Sequence, residues 1–185
     1  HLRECIESVC RQSYPNWELC ICDDSSSAVS VKTILKSYQS LNPRIKLIFR
    51  EKNGHICEAS NDALSLATGE YVALLDHDDI LADNALYWVA RELQKKPQAN
   101  LIYSDEDKVN DDGIRSCPHF KPAFNIDLLL SYNFISHLGV YRREILKQIG
   151  GFRVGFEGSQ DHDLALRTVL ESSPDQIIHI PRVLY

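Results

Sequence analysis

The fold is decided by the stretch GEYVALLDHDD at residues 69–79, in which a short apolar run ends abruptly in three carboxylates and an imidazole. The run predicts a buried β-strand over 70–75, because it is short, follows a glycine and contains β-branched and aromatic residues. Ligands bind at the carboxyl ends of strands in an open α/β sheet. Crowded carboxylates need a neutralising cation or hydrogen-bond donors, and oxygen ligands suit Mg²⁺ or Mn²⁺. The alternative is an Asp-rich turn, with Asp79 or Asp83 as a helix cap.

Strands and helices alternate upstream of this stretch over short loops. The patterns predict helices over 1–12, 31–38 and 56–67, and strands over 17–22 and 45–49. This order predicts an α/β fold with a Rossmann-like, mostly parallel central sheet flanked by helices. The chain contains no Met and opens in a helical pattern without a preceding strand. We therefore expect a fragment of a longer protein whose first strand is missing.

The pattern changes after residue 107, although no linker separates two domains. A helix beginning after Asp83 and a strand over 101–103 come first, followed by acidic residues at 105–107. Residues 108–125 are predicted to be irregular or hairpin-like. Helices are predicted over 126–130, 143–149 and 160–170, with strands over 138–141 and 177–180. We expect one domain over 1–185, with a nucleotide-binding half at 1–107 and an acceptor-binding half at 108–185.

The composition is that of an ordinary globular domain and excludes some functions. The 185 residues are 44% hydrophobic, and the formal net charge is −6. This charge and the lack of a basic stripe argue against nucleic-acid binding. No apolar run approaches the ~20 residues of a membrane span.

Acidic residues follow three predicted strands, namely at 23–24, 76–79 and 105–107. The carboxyl ends of parallel strands share one edge of a sheet, so these groups are expected to form one charged pocket that needs a cation or ligand donors. Asp23 and Asp24 could accept hydrogen bonds from a base or a ribose. An Asx-turn leading into the next helix is the alternative for this pair.

Several short motifs occur in a fixed order along the whole chain. They are IESV at 6–9, QSYPNWEL at 12–19, DDS at 23–25, NG at 53–54, ATGEY at 67–71, LDHDD at 75–79, GGF at 150–152 and QDHDL at 160–164 with Arg167. This ordered set resembles the inverting family 2 glycosyltransferases with the GT-A fold. A lone Asp-x-Asp would be a weak signal, whereas the order of the whole set is specific.

The resemblance implies a nucleotide-diphosphate-sugar site in the first half. Asp76 and Asp78 would bind the ribose and the diphosphate through Mn²⁺ or Mg²⁺, with Asp78 favoured as the direct ligand. Asp23 and Asp24 would contact the base, and Asn53 is assigned to substrate binding with them. His137 could touch the acceptor or the diphosphate, or it could be a structural histidine.

The resemblance also implies that Asp161 is the general base. It would take the proton from an acceptor hydroxyl whose oxygen attacks the anomeric carbon opposite the leaving diphosphate, so that one displacement inverts the configuration. The alternative is a helix-dipole role in the first turn, and Asp163 is expected to pair with Arg167 one turn later. Many members of this family carry Glu at the position of Gln160. Members also often carry a basic or aromatic segment after the final strand, which this chain lacks.

The predicted function is metal-dependent, inverting transfer of a sugar to a glycan or lipid-linked acceptor. The resemblance implies a cytoplasmic enzyme at the inner face of the plasma membrane, with peripheral association through regions outside this chain. A nucleotidyltransferase is one alternative, against which the QDHD helix argues. A non-catalytic domain that binds sugar nucleotides is the other.

Overall fold

The computed structural model describes residues 1–110 and 112–185, which form fourteen helices and strands and one 3₁₀ turn, Pro174–Gln176. The helices are α1 (Leu2–Cys10), α2 (Val29–Leu41), α3 (His55–Leu66), α4 (Ala85–Lys95), α5 (Ile126–Ser131), α6 (Arg143–Gln148) and α7 (Gln160–Leu170). The strands are β1 (Leu19–Asp23), β2 (Ile45–Phe49), β3 (Tyr71–Ala73), β4 (Leu101–Val109), β5 (Arg115–His119), β6 (Gly139–Arg142) and β7 (Ile177–Val183).

The first half alternates strands and helices, as the apolar pattern predicts. Strands β1 and β2 pair in parallel, with Leu19 opposite Ile45. The buried side chains Ile6 of α1, Leu35 of α2 and Ile45 of β2 form one apolar cluster. Burying one stripe of each helix against a strand pair is the packing expected of an α/β unit.

The second sheet has the strand order β3-β6-β4-β5, with β7 paired to β4. Its β4–β7 pair is parallel, whereas β3–β6, β6–β4 and β4–β5 are antiparallel. The α/β fold is confirmed, but the pairing in this sheet is more antiparallel than predicted. The apolar residues of β6 indicate that this strand is buried, but they do not indicate its direction. The direction is set by the long connection from β4 to β6 through β5 and α5.

Strand β4 is longer than its apolar start predicts, so the acidic residues at 105–107 lie inside a strand and not after one. They are tolerated there because neighbouring strands supply cations and donors. Asp105 Oδ1 is 2.8 Å from His179 Nε2 on β7, and Arg115 of β5 binds Asp107 in a bidentate pair at 2.7 Å. The predicted placement of this third acidic group at a strand end is therefore wrong.

The predicted cap of α4 is also wrong. The N-cap residue is Asn84, and neither Asp79 nor Asp83 caps the helix. Asp83 is instead 3.3 Å from Arg11 Nε at the surface. The predicted hairpin after residue 107 is confirmed by β4 and β5, and Gly113 in its turn has a φ of 76°. Of the stretch 108–125, position 111 lies outside the described residues.

A slot separates the two sheets. In the described part of the chain, β1 pairs with β2 alone and β3 with β6 alone, so one edge of each strand is open. Both strands line a cavity of about 910 Å³, together with apolar side chains of α4. That the predicted first strand would lie in this cavity stays a prediction.

No helix within the described ranges is long and apolar enough to cross a bilayer. The main apolar core lies under the second sheet, where Leu101, Tyr103, Phe134, Tyr141 and Leu164 are buried together. This core fixes α7 and the loop before β6 against β4, and both carry candidate functional side chains.

Candidate active site

Three side chains converge beyond the carboxyl end of β3. One ligand atom from each of Asp76, Asp79 and His137 lies within 4.8 Å of the others. His137 Nε2 is 3.8 Å from Asp76 Oδ2, and the His137 side chain is only 29% exposed. Asp79 is brought back towards Asp76 by a turn in which its backbone N–H donates to the Asp76 carbonyl at 3.3 Å. The loop before β6 thus supplies the imidazole and the loop after β3 supplies two carboxylates.

Tyr185 holds this cluster together. Its hydroxyl donates to Asp79 Oδ2 at 2.7 Å and accepts the Asp76 backbone N–H at 3.1 Å. Its ring stacks on His137, with the centroids 4.5 Å apart and the planes at 9°. Burial raises the pKa of Tyr185 well above its usual value, with the negative charge of Asp79 adding to the effect, so the hydroxyl stays a donor.

The cluster carries uncompensated negative charge. In the described part of the chain, neither Asp76 nor Asp79 forms an ion pair with Lys or Arg. Burial raises the pKa of Asp76, and the charges of Asp79, Asp78 and Asp161 raise it further against the opposing influence of His137. Such a set of oxygen and imidazole ligands fits a divalent cation of the Mg²⁺ or Mn²⁺ kind.

Asp78, favoured from the resemblance as the direct metal ligand, lies outside this cluster. Its side chain is 59% exposed and is 3.7 Å from His77 Nδ1. The structure therefore brings together Asp76 and His137 of the predicted residues and adds Asp79, which was not among the predicted ligands. The role of Asp78 stays a prediction.

The two aspartates in the first turn of α7 have different surroundings. Asp161 Oδ2 accepts a hydrogen bond from Asn133 Nδ2 at 2.8 Å. Asp163 is buried between Arg153 and Arg167, with Arg167 Nη2 at 2.7 Å. Burial alone would raise the pKa of Asp163, but the hydrogen bonds from the two guanidinium groups lower it overall. The predicted pairing of Asp163 with Arg167 is confirmed, and Asp161 is left with an amide partner.

The two aspartates at the carboxyl end of β1, Asp23 and Asp24, also differ from each other. Asp24 is held by Arg50 Nε at 3.0 Å and by the Gly54 N–H at 2.9 Å, and its carbonyl accepts from Asn53 Nδ2 at 3.1 Å. Asp23 is 4% exposed. Its Oδ1 accepts the Ser26 N–H at 3.3 Å, which is the Asx-type turn considered from the sequence. Its Oδ2 is buried without a partner among the described residues.

Sequence reasoning missed Tyr185, Asn133 and the role of Asp79. Tyr185 ends a segment recognisable only as strand-like, and it reaches Asp79 across 106 positions of sequence. Asn133 lies 28 positions from Asp161. No local pattern reports contacts of this range. Asp79 gave a usable signal, since it belongs to the same acidic run as Asp76.

The chain belongs to glycosyl transferase family 2, whose family pattern matches residues 1–150. It is 49% identical over 184 residues to the uncharacterized protein y4gI of Sinorhizobium fredii, covering 100% of this chain and 20% of that protein. It is 39% identical over 184 residues to the O-antigen biosynthesis protein RfbC of Myxococcus xanthus, covering 100% of this chain and 14% of the relative. The chain therefore spans a fifth or less of these two relatives.

Solved structures agree with this assignment. The crystal structure of S. aureus TarS 1-349 superposes with a TM-score of 0.81 at 22% identity, covering 100% of this chain and 55% of that one. The mannosyltransferase PcManGT from Pyrobaculum calidifontis, in complex with GDP-Man and Mn²⁺, gives a TM-score of 0.69 at 20% identity, covering 97% of this chain and 52% of its own. The GT-A fold is thereby confirmed, and by its family the chain is a glycosyltransferase domain.

Proposed function

We propose that this domain transfers a sugar from a nucleotide-diphosphate sugar to a hydroxyl of a glycan or lipid-linked acceptor, with inversion and with the help of Mn²⁺ or Mg²⁺. The observation that carries the proposal is the convergence of Asp76, Asp79 and His137 without a neutralising Lys or Arg in the described ion pairs. A divalent cation would supply the missing positive charge, would use the ligands that are present, and would bind the anionic diphosphate of the donor.

Asp76, Asp79 and His137 would hold the metal ion. When bound, the ion would neutralise negative charge that develops on the leaving diphosphate. Tyr185 fixes Asp79 and the backbone of Asp76, so these ligands need little rearrangement. Asp78 stands on the same loop and is proposed to accept a hydrogen bond from the ribose or to reach the diphosphate through the metal ion.

The nucleoside would bind at the carboxyl end of β1. The buried Oδ2 of Asp23 is an acceptor without a partner among the described residues, so a base N–H or a ribose hydroxyl would satisfy it. Asp24 is occupied by Arg50 and Gly54 and would shape this site with Asn53. Complexes of TarS with UDP and with UDP-GlcNAc support a sugar-nucleotide donor without deciding the base for this chain.

Asp161 would act as the general base for the acceptor hydroxyl. Its charge is one of those that raise the pKa of Asp76, which supports a common site for the two carboxylates. Asn133 orients the Asp161 carboxylate through its amide N–H. One displacement needs a base on the acceptor side only, because the diphosphate leaves as a charge-stabilised group and needs no protein acid. Inversion follows from attack opposite the leaving group.

Polysaccharide synthesis at the cell envelope is the proposed setting. The names of two relatives support it, the O-antigen biosynthesis protein of Myxococcus xanthus and a chondroitin synthase of Pasteurella multocida at 28% identity. We propose that the domain works at the cytoplasmic face of the membrane, and that other regions of a longer protein supply any membrane contact.

The decisive experiment measures transfer and hydrolysis of a panel of sugar nucleotides with Mn²⁺, together with the anomeric configuration of the product. Turnover that is lost in Asp76→Asn and in Asp161→Asn supports the enzyme. The matched control is Asp83→Asn, which removes an exposed carboxylate paired with Arg11 from the same loop region. Binding of a sugar nucleotide that survives both site substitutions, with no turnover in the unaltered protein, would favour a non-catalytic domain. Retention of configuration would refute the single displacement.

A further inference from the structure

We infer that the Lys121–Glu106 ion pair is a positioning device that clamps the backbone of His137 and thereby sets the geometry of the metal site beyond β3. The inference rests on the proposed function, because it takes His137 to be a metal ligand. Neither residue supplies a ligand atom of the cluster, and both would act through the backbone of His137.

The clamp holds both backbone polar groups of His137. Glu106 Oε2 accepts the His137 N–H at 3.1 Å and the Lys121 ammonium at 2.9 Å. The Lys121 ammonium also donates to the His137 carbonyl and, at 2.7 Å, to the Ile135 carbonyl. Three donors of one ammonium group are therefore directed at one carboxylate and two carbonyls. This arrangement fixes the peptide groups on either side of the His137 side chain.

The burial of Lys121 is hard to explain by stability alone. Its side chain is 0% exposed, although desolvating an ammonium group costs free energy that a buried apolar side chain would not. Burial lowers the pKa of Lys121, and the bond to Glu106 counteracts this effect. Burial also opposes charge on Glu106, but its hydrogen bonds from Lys121, His119 and the His137 N–H lower its pKa overall.

The clamp is anchored in the sheet. Glu106 lies on β4, and Lys121 follows β5 with its backbone N–H bound to Asp105 Oδ1 at 2.9 Å. The clamped loop needs such support, since Ser136 has a φ of 36°, a conformation that non-glycine residues rarely adopt. The β4–β5 hairpin, through Glu106 and Lys121, thus fixes the conformation of the loop before β6. The loop in turn fixes the position of the His137 imidazole relative to Asp76.

The test compares Mn²⁺ affinity among variants, measured by the electron paramagnetic resonance signal of free Mn²⁺ during titration. We expect Lys121→Met to raise the Kd for Mn²⁺ by about 10- to 100-fold, as is typical when a partner that orients a metal ligand is lost. Glu106→Gln keeps an acceptor oxygen, removes the charge, and is expected to raise the Kd less. The matched control Arg115→Gln breaks an ion pair of the same hairpin that does not reach His137, and should leave the Kd unchanged.

A double-mutant cycle separates positioning from a general loss of structure. In a His137→Ala background, Lys121→Met should cause no further loss of Mn²⁺ affinity, because the ligand it positions is already gone. An equal loss in both backgrounds would overturn the clamp. If Lys121→Met does not fold, as judged by thermal unfolding, Glu106→Gln takes its place in the cycle.

The cycle also distinguishes failure of the clamp from failure of the proposed metal site. If His137→Ala weakens Mn²⁺ binding and both clamp variants, although folded, bind Mn²⁺ within about twofold of the unaltered protein, the clamp alone is wrong. If His137→Ala leaves Mn²⁺ binding unchanged, His137 is not a metal ligand, and the proposed clamp is wrong as well.

Discussion

Two groups of carboxylates, one near the end of β2 and one beyond the end of β3, differ in how their charge is balanced. Asp24, Glu58 and Asp62 surround the guanidinium of Arg50, with Asp24 at 3.0 Å. Asp76 and Asp79 have an imidazole and a phenol nearby and form no ion pair with Lys or Arg in the described part of the chain. The sequence places Asp24, Asp76 and Asp79 near strand ends, whereas Glu58 and Asp62 lie in the predicted helix over 56–67.

A candidate site is therefore marked by carboxylates without a Lys or Arg partner, and not by the number of acidic residues. One guanidinium does not neutralise three carboxylates, but each carboxylate of the first group contacts Arg50. Among the described ion pairs Asp76 and Asp79 have no contact with Lys or Arg, so this second group is tolerable mainly with a ligand bound. The same contrast recurs within α7, where Asp163 is paired with two arginines and Asp161 with an amide. Balanced acids should control stability and unbalanced acids should control binding and turnover.

Asp161 is the aspartate of α7 whose partner is an amide and not an arginine. We expect Asp161→Asn to have the largest effect on turnover. We expect kcat to fall by about 10²- to 10⁴-fold, the usual contribution of a general base. The Kd for the sugar nucleotide, measured by calorimetry with Mn²⁺, should be unchanged because the base acts on the acceptor. A variant that keeps its kcat would show that another group takes the proton.

Asp79→Asn compared with Asp78→Asn tests the assignment of the metal ligands. We expect the Kd for Mn²⁺ to rise at least about tenfold in Asp79→Asn and to change little in Asp78→Asn, since Asp78 is exposed outside the cluster. Titration with Mn²⁺ checks both. If the Kd for Mn²⁺ instead rises in Asp78→Asn and changes little in Asp79→Asn, Asp78 is the direct ligand and Asp79 is only a turn residue.

Asn133→Ala removes the amide that orients Asp161. A hydrogen bond to a charged group contributes enough to predict a fall in kcat of about tenfold, with the KM for the donor unchanged. Steady-state kinetics with the donor varied provide the measurement. Asn133 Oδ1 also accepts the Ser136 N–H, so Asn133→Asp, which keeps that acceptor, is the companion variant. Equal rises in the donor KM in both would contradict a role confined to Asp161.

Arg50→Met tests the balanced group. The substitution leaves Asp24, Glu58 and Asp62 without their shared cation, so the melting temperature should fall by several degrees. The Kd for Mn²⁺ should stay unchanged, because the metal site uses other residues. Thermal unfolding and Mn²⁺ titration on the same sample make the comparison. A loss of Mn²⁺ affinity without a change in melting temperature would reverse the roles of the two groups.

Glu18 is a further balanced acid and should have the smallest effect at neutral pH. Burial opposes its charge, but the bonds from Lys46, Thr68 and Gly69 lower its pKa from 4.5 to about 2. A lowered pKa means that the folded state holds the proton less tightly than the unfolded state. The stabilisation is therefore complete above about pH 4.5 and is lost as the pH falls towards 2.

Urea unfolding at several pH values checks this prediction. The unaltered protein should lose stability over that interval, and Glu18→Gln should remove the part of the slope that belongs to this carboxyl group. An unchanged slope in Glu18→Gln would show that other carboxylates account for it.

The sequence predicts the local parts of this fold well, because apolar periodicity reflects which face of a segment is buried. The bounds of β2 and α7 agree with the pattern, and so does the i,i+4 pair of Asp163 and Arg167. The position of Asp76 at the end of a strand was equally accessible. Each of these features depends on residues that are close in the chain.

Features that depend on distant partners were beyond the sequence. The acidic residues at 105–107 resemble a loop until β7 supplies His179 and β5 supplies Arg115, and the direction of β6 has no local signature. The meeting of Asp79, His137 and Tyr185 brings together three separate loops and ends of elements. The balance of charge at a site depends on tertiary contacts, so it can be determined only when the neighbouring residues are known.

The slot between β1 and β3 has a consequence for the spacing of the two ends of a donor molecule. Asp23 ends β1 on one side of the slot, and Asp76 follows β3 on the other. Glu18 bridges the far end by accepting from the Gly69 N–H at 2.9 Å. The width of the slot would therefore set the distance between a nucleoside bound at Asp23 and a diphosphate bound at Asp76 in the proposed donor complex.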